Sequence, residues 1–202
     1  MSLKIKTPPA SLAELLLQSV CDHLRRIAAL DESPAIAPDD LAHIRALTEA
    51  AVALMDGPKS KTRRALLTQT WTLCLDCWPD KITLPLSPVQ SVSSVKYYSV
   101  DGLKETFGAS NYKLTGLASW DPQISLLPDK SWPQTDGRDG AIEIEFVAGY
   151  GDALADVPAP ILQAIRLLVA HWYESREAVA FATPHEIPMG VATLIQPYRI
   201  YR

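Results

Sequence analysis

Apolar residues recur at helical spacing in the run SLAELLLQSVCDHLRRI, where Leu12, Leu15, Leu16, Val20, Leu24 and Ile27 fall on one face. Ser11 and Glu14 have the spacing of a capping box, and Arg25 and Arg26 sit where cations suit the end of a helix. This predicts a helix over about 11–30. After the loop DESPAIAPDD, Asp39 can cap a second helix over about 39–56, with Leu41, Ile44, Leu47, Ala51 and Leu54 on its apolar face. Gly57 and Pro58 supply its stop signal.

The period then changes to two. In TQTWTLCLDCW, Trp71, Leu73, Leu75 and Cys77 alternate with Thr70, Thr72, Cys74 and Asp76, as in a strand. The run SVSSVKYYSVDGLKETF reads as a hairpin turning at Asp101-Gly102. Shorter extended pieces are expected at Asn111–Leu114 and Ile124–Leu127. In the last strand Ile142, Ile144 and Phe146 alternate with Glu143 and Glu145, so one face is buried and the other wet. An antiparallel β insert over about 66–148 follows. Helical spacing returns with Ile161, Ile165, Leu168, Val169 and Trp172, predicting a long helix over about 158–180. Beyond it, a proline-punctuated tail over about 182–202 is expected to be extended or only briefly helical. The expected fold class is α+β, in one domain spanning 1–202. It is a helical bundle of two N-terminal helices and a long C-terminal helix, with an inserted antiparallel β region.

Composition narrows the class. The 202 residues are 48% hydrophobic and 21% charged, as in ordinary globular chains. No apolar run approaches a membrane span. Prolines and Glu14 interrupt the N-terminus before a signal-peptide core develops, so synthesis in the cytoplasm is expected. A net charge of −4 gives no global pull toward nucleic acid or anionic membranes. Three cysteines are too few for a disulfide framework.

Each candidate for chemistry has a plainer reading. Cys74 and Cys77 form a C-x-x-C, but in a strand residues three apart face opposite ways, so the sulfurs should diverge. His171 and Glu174 could share a helix face, yet His23, His43 and His185 bring no matching acidic motif. The basic run KSKTRR over 59–64 could touch phosphates, but it also follows a helix C-terminus, where cations are favoured. Strand, glycine turn and helix follow one another around AGYG, as in a phosphate-binding loop. Gly149-Tyr150-Gly151 matches neither nucleotide fingerprint, however, and Asp152 would repel phosphate. Its glycines are expected to let the strand turn a corner. No catalytic residue, cofactor-binding residue or metal ligand is assigned, and no cofactor. A small hydrolase or redox enzyme using Cys74/Cys77 or His171 stands as the alternative, and requires those groups to converge.

In order along the chain come RALLTQTWTLCLDCWPDKITLPLSPVQSVSSVKYYSVDG, AIEIEFVAGYG, VPAPILQAIRLLVAHWYESREAV and ATLIQPYR. This succession resembles the head–tail connector (head-completion or adaptor) proteins of long-tailed phages and gene transfer agents, over roughly 11–199. Where that family often reads TGRAL, this chain has Thr62-Arg63-Arg64-Ala65-Leu66. The resemblance implies a virion assembly protein rather than an enzyme. It would form a ring of about twelve copies on the portal protein, extend the DNA exit channel and dock a tail-side stopper or tail terminator. DNA would pass without specific binding, and no membrane is involved. The protein would move from host cytoplasm to the head–tail junction of the particle, and another tail-completion module is a further alternative. In the tail PYRIYR, Tyr198, Arg199, Tyr201 and Arg202 are residue types enriched at binding hot spots and are the expected partner interface. Removing Gln196–Arg202 is expected to leave the rest folded and to abolish portal binding.

Overall fold

The N-terminal residues Ser2–Thr7 form a strand, β1, which lies along the edge of the main sheet. The computed structural model describes residues 1–30, 40–117, 119, 121–174 and 188–200, with the side chains of 26–30 left out. After β1 come helices α1 (Leu12–Leu30) and α2 (Leu41–Met55). The strands β2 (Gln69–Leu75), β3 (Lys81–Thr83), β4 (Val89–Tyr98), β5 (Lys104–Thr106), β6 (Tyr112–Thr115), β7 (Gln123–Leu126) and β8 (Ile142–Ala148) follow. Helices α3 (Ala159–Glu174) and α4 (Met189–Ile195) complete the order. The fold is α+β. The chain divides into two compact units: residues 1–10 with 65–152, and residues 11–64 with 153–202. The physical reason is that the sheets and the helices each close a core of their own.

In the β unit, a five-stranded antiparallel sheet runs β1-β2-β8-β4-β5, beside a three-stranded sheet β3-β7-β6. Alternation in β8 works as expected. Ile142, Ile144, Phe146 and Ala148 are fully buried, while Glu143 and Glu145 look outward. Those two carboxylates meet lysines two strands away, Glu143 with Lys104 at 2.7 Å and Glu145 with Lys6 at 2.6 Å. The core adds Trp71, Leu73, Ile82, Val95, Phe107 and Ile124. The rings of Trp78 and Trp132 stack nearly parallel at 4.4 Å on its margin. Residues Ser99–Leu103 close the β4–β5 hairpin with two backbone hydrogen bonds, and Gly102 takes a φ of 74°. The loop is longer than a two-residue turn.

In the helical unit, Leu12, Leu16, Val20 and Leu24 of α1 are buried with Ile44, Ala51 and Met55 of α2 and Ile161, Ile165, Leu168 and Val169 of α3. Leu15, placed on the apolar face by spacing, is 45% exposed, and Trp172 is half-buried. Only half of the α1 capping box forms. The Glu14 N–H donates to Ser11 Oγ at 3.3 Å, while the Glu14 carboxylate pairs with Arg45 at 3.0 Å. Asp39 lies outside the described residues. Its neighbour Asp40 makes no side-chain cap and instead accepts the Tyr173 hydroxyl at 2.7 Å, joining the start of α2 to the end of α3. Residues 175–187, where the α3 helix was expected to run on, also lie outside the description. The tail, expected to be extended or only briefly helical, contains the short helix α4, where Pro188 opens the first turn and Val191 and Ile195 are buried.

Candidate functional site

The loop after α2 alternates in burial. Ser60 and Thr62 point inward, and Lys59, Lys61 and Arg63 point outward. Thr62 is fully buried, and its hydroxyl donates to the Met55 carbonyl at 2.6 Å, tying the loop to the last turn of α2. Further bonds fix the loop: Lys61 N–H to Leu54 O at 2.8 Å, Gly57 N–H to Arg64 O at 2.7 Å, and Arg63 N–H to Ser60 Oγ at 2.9 Å. Arg63 holds a φ of 55°, the left-handed region that favours glycine, at the position where the resembled family often has one. The basic run is a shaped loop rather than a loose stretch of charge.

The chain end closes on this loop. Arg64 Nε donates to the Tyr198 carbonyl at 2.6 Å, and Ile200 N–H donates to the Thr62 carbonyl at 3.2 Å. Ile200 is buried, while Arg199 is exposed. Pro58, Lys59, Ser60, Lys61, Arg63, Arg199 and Ile200 surround a cavity of about 620 Å³. Thus the structure brings Arg199 of the expected interface to the basic run 59–64, which the sequence reading kept apart from it. Tyr198 is half-buried beside them, and Tyr201 and Arg202 lie outside the described residues. Removing Gln196–Arg202 would therefore also remove buried Ile200 and the carbonyl that accepts from Arg64.

The cysteines differ in their surroundings. The β2 strand stops at Leu75, so Cys77 is not a strand residue; Cys74 is buried and Cys77 exposed, both as free thiols. Cys74 belongs to the β unit and His171 to the helical unit. Among the described residues, no group of three His, Cys, Asp or Glu side chains is placed to hold a metal ion. Burial pushes the Cys21 thiol up from its ordinary pKa, so it favours the neutral form rather than the nucleophilic thiolate.

At AGYG, Gly149 takes a φ of 136°, and a Cβ there would strike the Leu67 carbonyl and lie 2.6 Å from the Thr68 nitrogen. Its N–H donates to Pro88 O at 2.9 Å and that of Tyr150 to Leu66 O at 3.2 Å. These amides serve the sheet rather than a ligand. The segment turns a corner.

No protein-family model and no curated protein matches the chain. Solved structures do. The chain is similar to one in the virion of a native gene transfer agent particle, with 28% identity and a TM-score of 0.74. It is similar to another in the neck of the empty particle, computed with C6 symmetry, with 29% identity and a TM-score of 0.72. A third match is in the neck of the native particle, computed with C12 symmetry, with 28% identity and a TM-score of 0.71. In each case all of this chain and 97% of the other are covered. The likeness is therefore one of whole chains, both units included, to components of a particle and its neck.

Proposed function

We propose that this chain is a structural adaptor of the neck of a phage-like particle. It forms a ring of about twelve copies on the portal, continues the DNA exit channel and offers the next tail-side component a surface to dock on. The full-length likeness to neck chains carries this reading. The C6 and C12 symmetries of those necks suit a closed ring, in which each subunit meets the next through two different patches. Such a protein works by contact and needs no reacting centre. Tyr198, Arg199, Tyr201 and Arg202 are proposed to face the portal. A net charge of −4 per copy favours a wall that DNA slides past, over the roughly 8 Å that salt leaves unscreened.

Deleting the gene from the producing strain tests this. The expected products are DNA-filled heads without tails, with tails restored by the wild-type chain. Quantitative mass spectrometry of complete particles should count about twelve copies. Normal tailed particles from the deletion strain would refute the proposal, and so would absence of the chain from purified particles.

A further inference from the structure

We propose that the cavity between the 58–63 loop and the chain end is a docking pocket for an acidic protein segment, one presenting two or more neighbouring carboxylates. Among the described residues, Lys59, Lys61, Arg63 and Arg199 line it together with Pro58, Ser60 and Ile200, and none of these is acidic. Among the described residues Lys59 and Lys61 take part in no ion pair, while Lys6, Lys104 and Arg45 each meet a carboxylate. The pocket therefore gathers cations in a chain whose balance is acidic, 19 basic against 23 acidic residues.

The site is preorganised. Thr62 and Ile200 are buried beneath it, and the loop is pinned to α2 and to the chain end by the hydrogen bonds described above. Arg63 keeps its left-handed backbone with a full side chain. A non-glycine residue there is held at a conformational disadvantage, and in this loop it places a third cation beside two lysines. Rigid placement of cations lowers the entropy lost when a partner is bound.

Size selects among anions. A cavity of about 620 Å³ is far larger than one phosphate and holds several side chains. It is concave, whereas duplex DNA presents a convex surface whose major groove alone is about 12 Å wide. Paired carboxylates on a protein segment fit both the charge and the shape, and Lys59 and Lys61 offer them ammonium donors.

The test uses the full chain labelled with ¹⁵N and a hexaglutamate peptide as probe, with K59Q/K61Q as the site variant. K113Q/K130Q removes the same charge from exposed positions of the β unit. The expected result is amide shifts concentrated at 59–63 and 199–200, weakened about fivefold or more in K59Q/K61Q and unchanged in K113Q/K130Q. Equal weakening in both variants would overturn the proposal, as would shifts scattered over all lysines. So would a stronger response of the same amides to inorganic phosphate or to a 20-base-pair duplex at matched charge concentration.

Discussion

Gly149→Ala is the sharpest perturbation the fold offers. At a φ of 136° the residue lies outside every region that an L side chain occupies comfortably, a conformational cost of about 1–3 kcal/mol. The new methyl would also overlap the Leu67 carbonyl and crowd the Thr68 nitrogen, both backbone atoms that cannot swing aside. Overpacking of this kind adds about 1–3 kcal/mol. Against these, alanine restricts the unfolded chain and returns about 0.4–1 kcal/mol. The net loss is about 1–6 kcal/mol, with a centre near 3, a large share of the roughly 5–15 kcal/mol that holds a domain together. Urea titration followed by tryptophan fluorescence reads it, since Trp71, Trp78 and Trp132 all lie in the β unit. With a slope of about 1–3 kcal/mol per molar, the middle of these ranges lowers the midpoint by about 1.5 M. Gly137→Ala is the control. Gly137 also has a positive φ, 76°, but an added Cβ there meets nothing within 4 Å, so its loss should stay within about 1 kcal/mol. Equal midpoints for Gly149→Ala and the wild type would refute the reasoning, and so would equal losses in the two variants.

In the helical unit, Leu168→Ala should cost about 2–5 kcal/mol because Leu168 is almost wholly buried, and more than Trp172→Ala, whose ring is half in solvent. Thermal melts of the two variants would show the order, and the reverse ranking would sink the packing account. Stability should also fall as pH rises past about 8.5. Burial raises the Cys21 and Tyr112 pKa values, and hydrogen bonds to Glu105 and Glu143 raise those of Tyr97 and Lys104. The folded chain thus keeps protons that the unfolded chain releases. The gain is whole below the ordinary thiol, phenol and amine values and is lost as pH climbs through the raised ones. Asp76 acts oppositely. The Gly140 N–H depresses its pKa, and its contribution fades as pH falls below the usual carboxylate range. Urea midpoints at pH 7, 9 and 10.5 should decline in that order, and a midpoint that rises would contradict the signs.

Local pattern carried most of the elements. Strand β8 shows its two faces in seven residues, and the apolar stripe of α3 names the buried Ile161, Ile165, Leu168 and Val169 but passes over the likewise buried Leu162, Ala164 and Ala170. The missed elements are short or lean on distant partners. Strand β1 holds only Leu3 and Ile5 as apolar alternates among lysines, and it exists because β2 offers an edge. Strand β3 is three residues long, and α4 spans seven, too few for a helical period to declare itself. The pocket was legible only as fragments. Residues 59–63 and residue 199 are over a hundred positions apart, and nothing local says that Ile200 will donate to Thr62. Arg63 shows the same limit, since its unusual backbone comes from the surrounding hydrogen bonds rather than from its own side chain.

The interleaved division of the chain bears on how it can be made. On the ribosome, β1 emerges before β2 and lacks an inward neighbour until β2 appears, and β2 in turn waits for β8 near residue 142. Helices α1 and α2 likewise wait for α3, which starts at Ala159. At about 5–20 residues per second, the early segments spend several seconds as nascent chain with their closing contacts not yet synthesised. Such long sequence separations slow folding and lengthen the time that apolar edges stand open. A truncated transcript therefore yields neither half of the molecule, and successful folding is decided by translation of its final third.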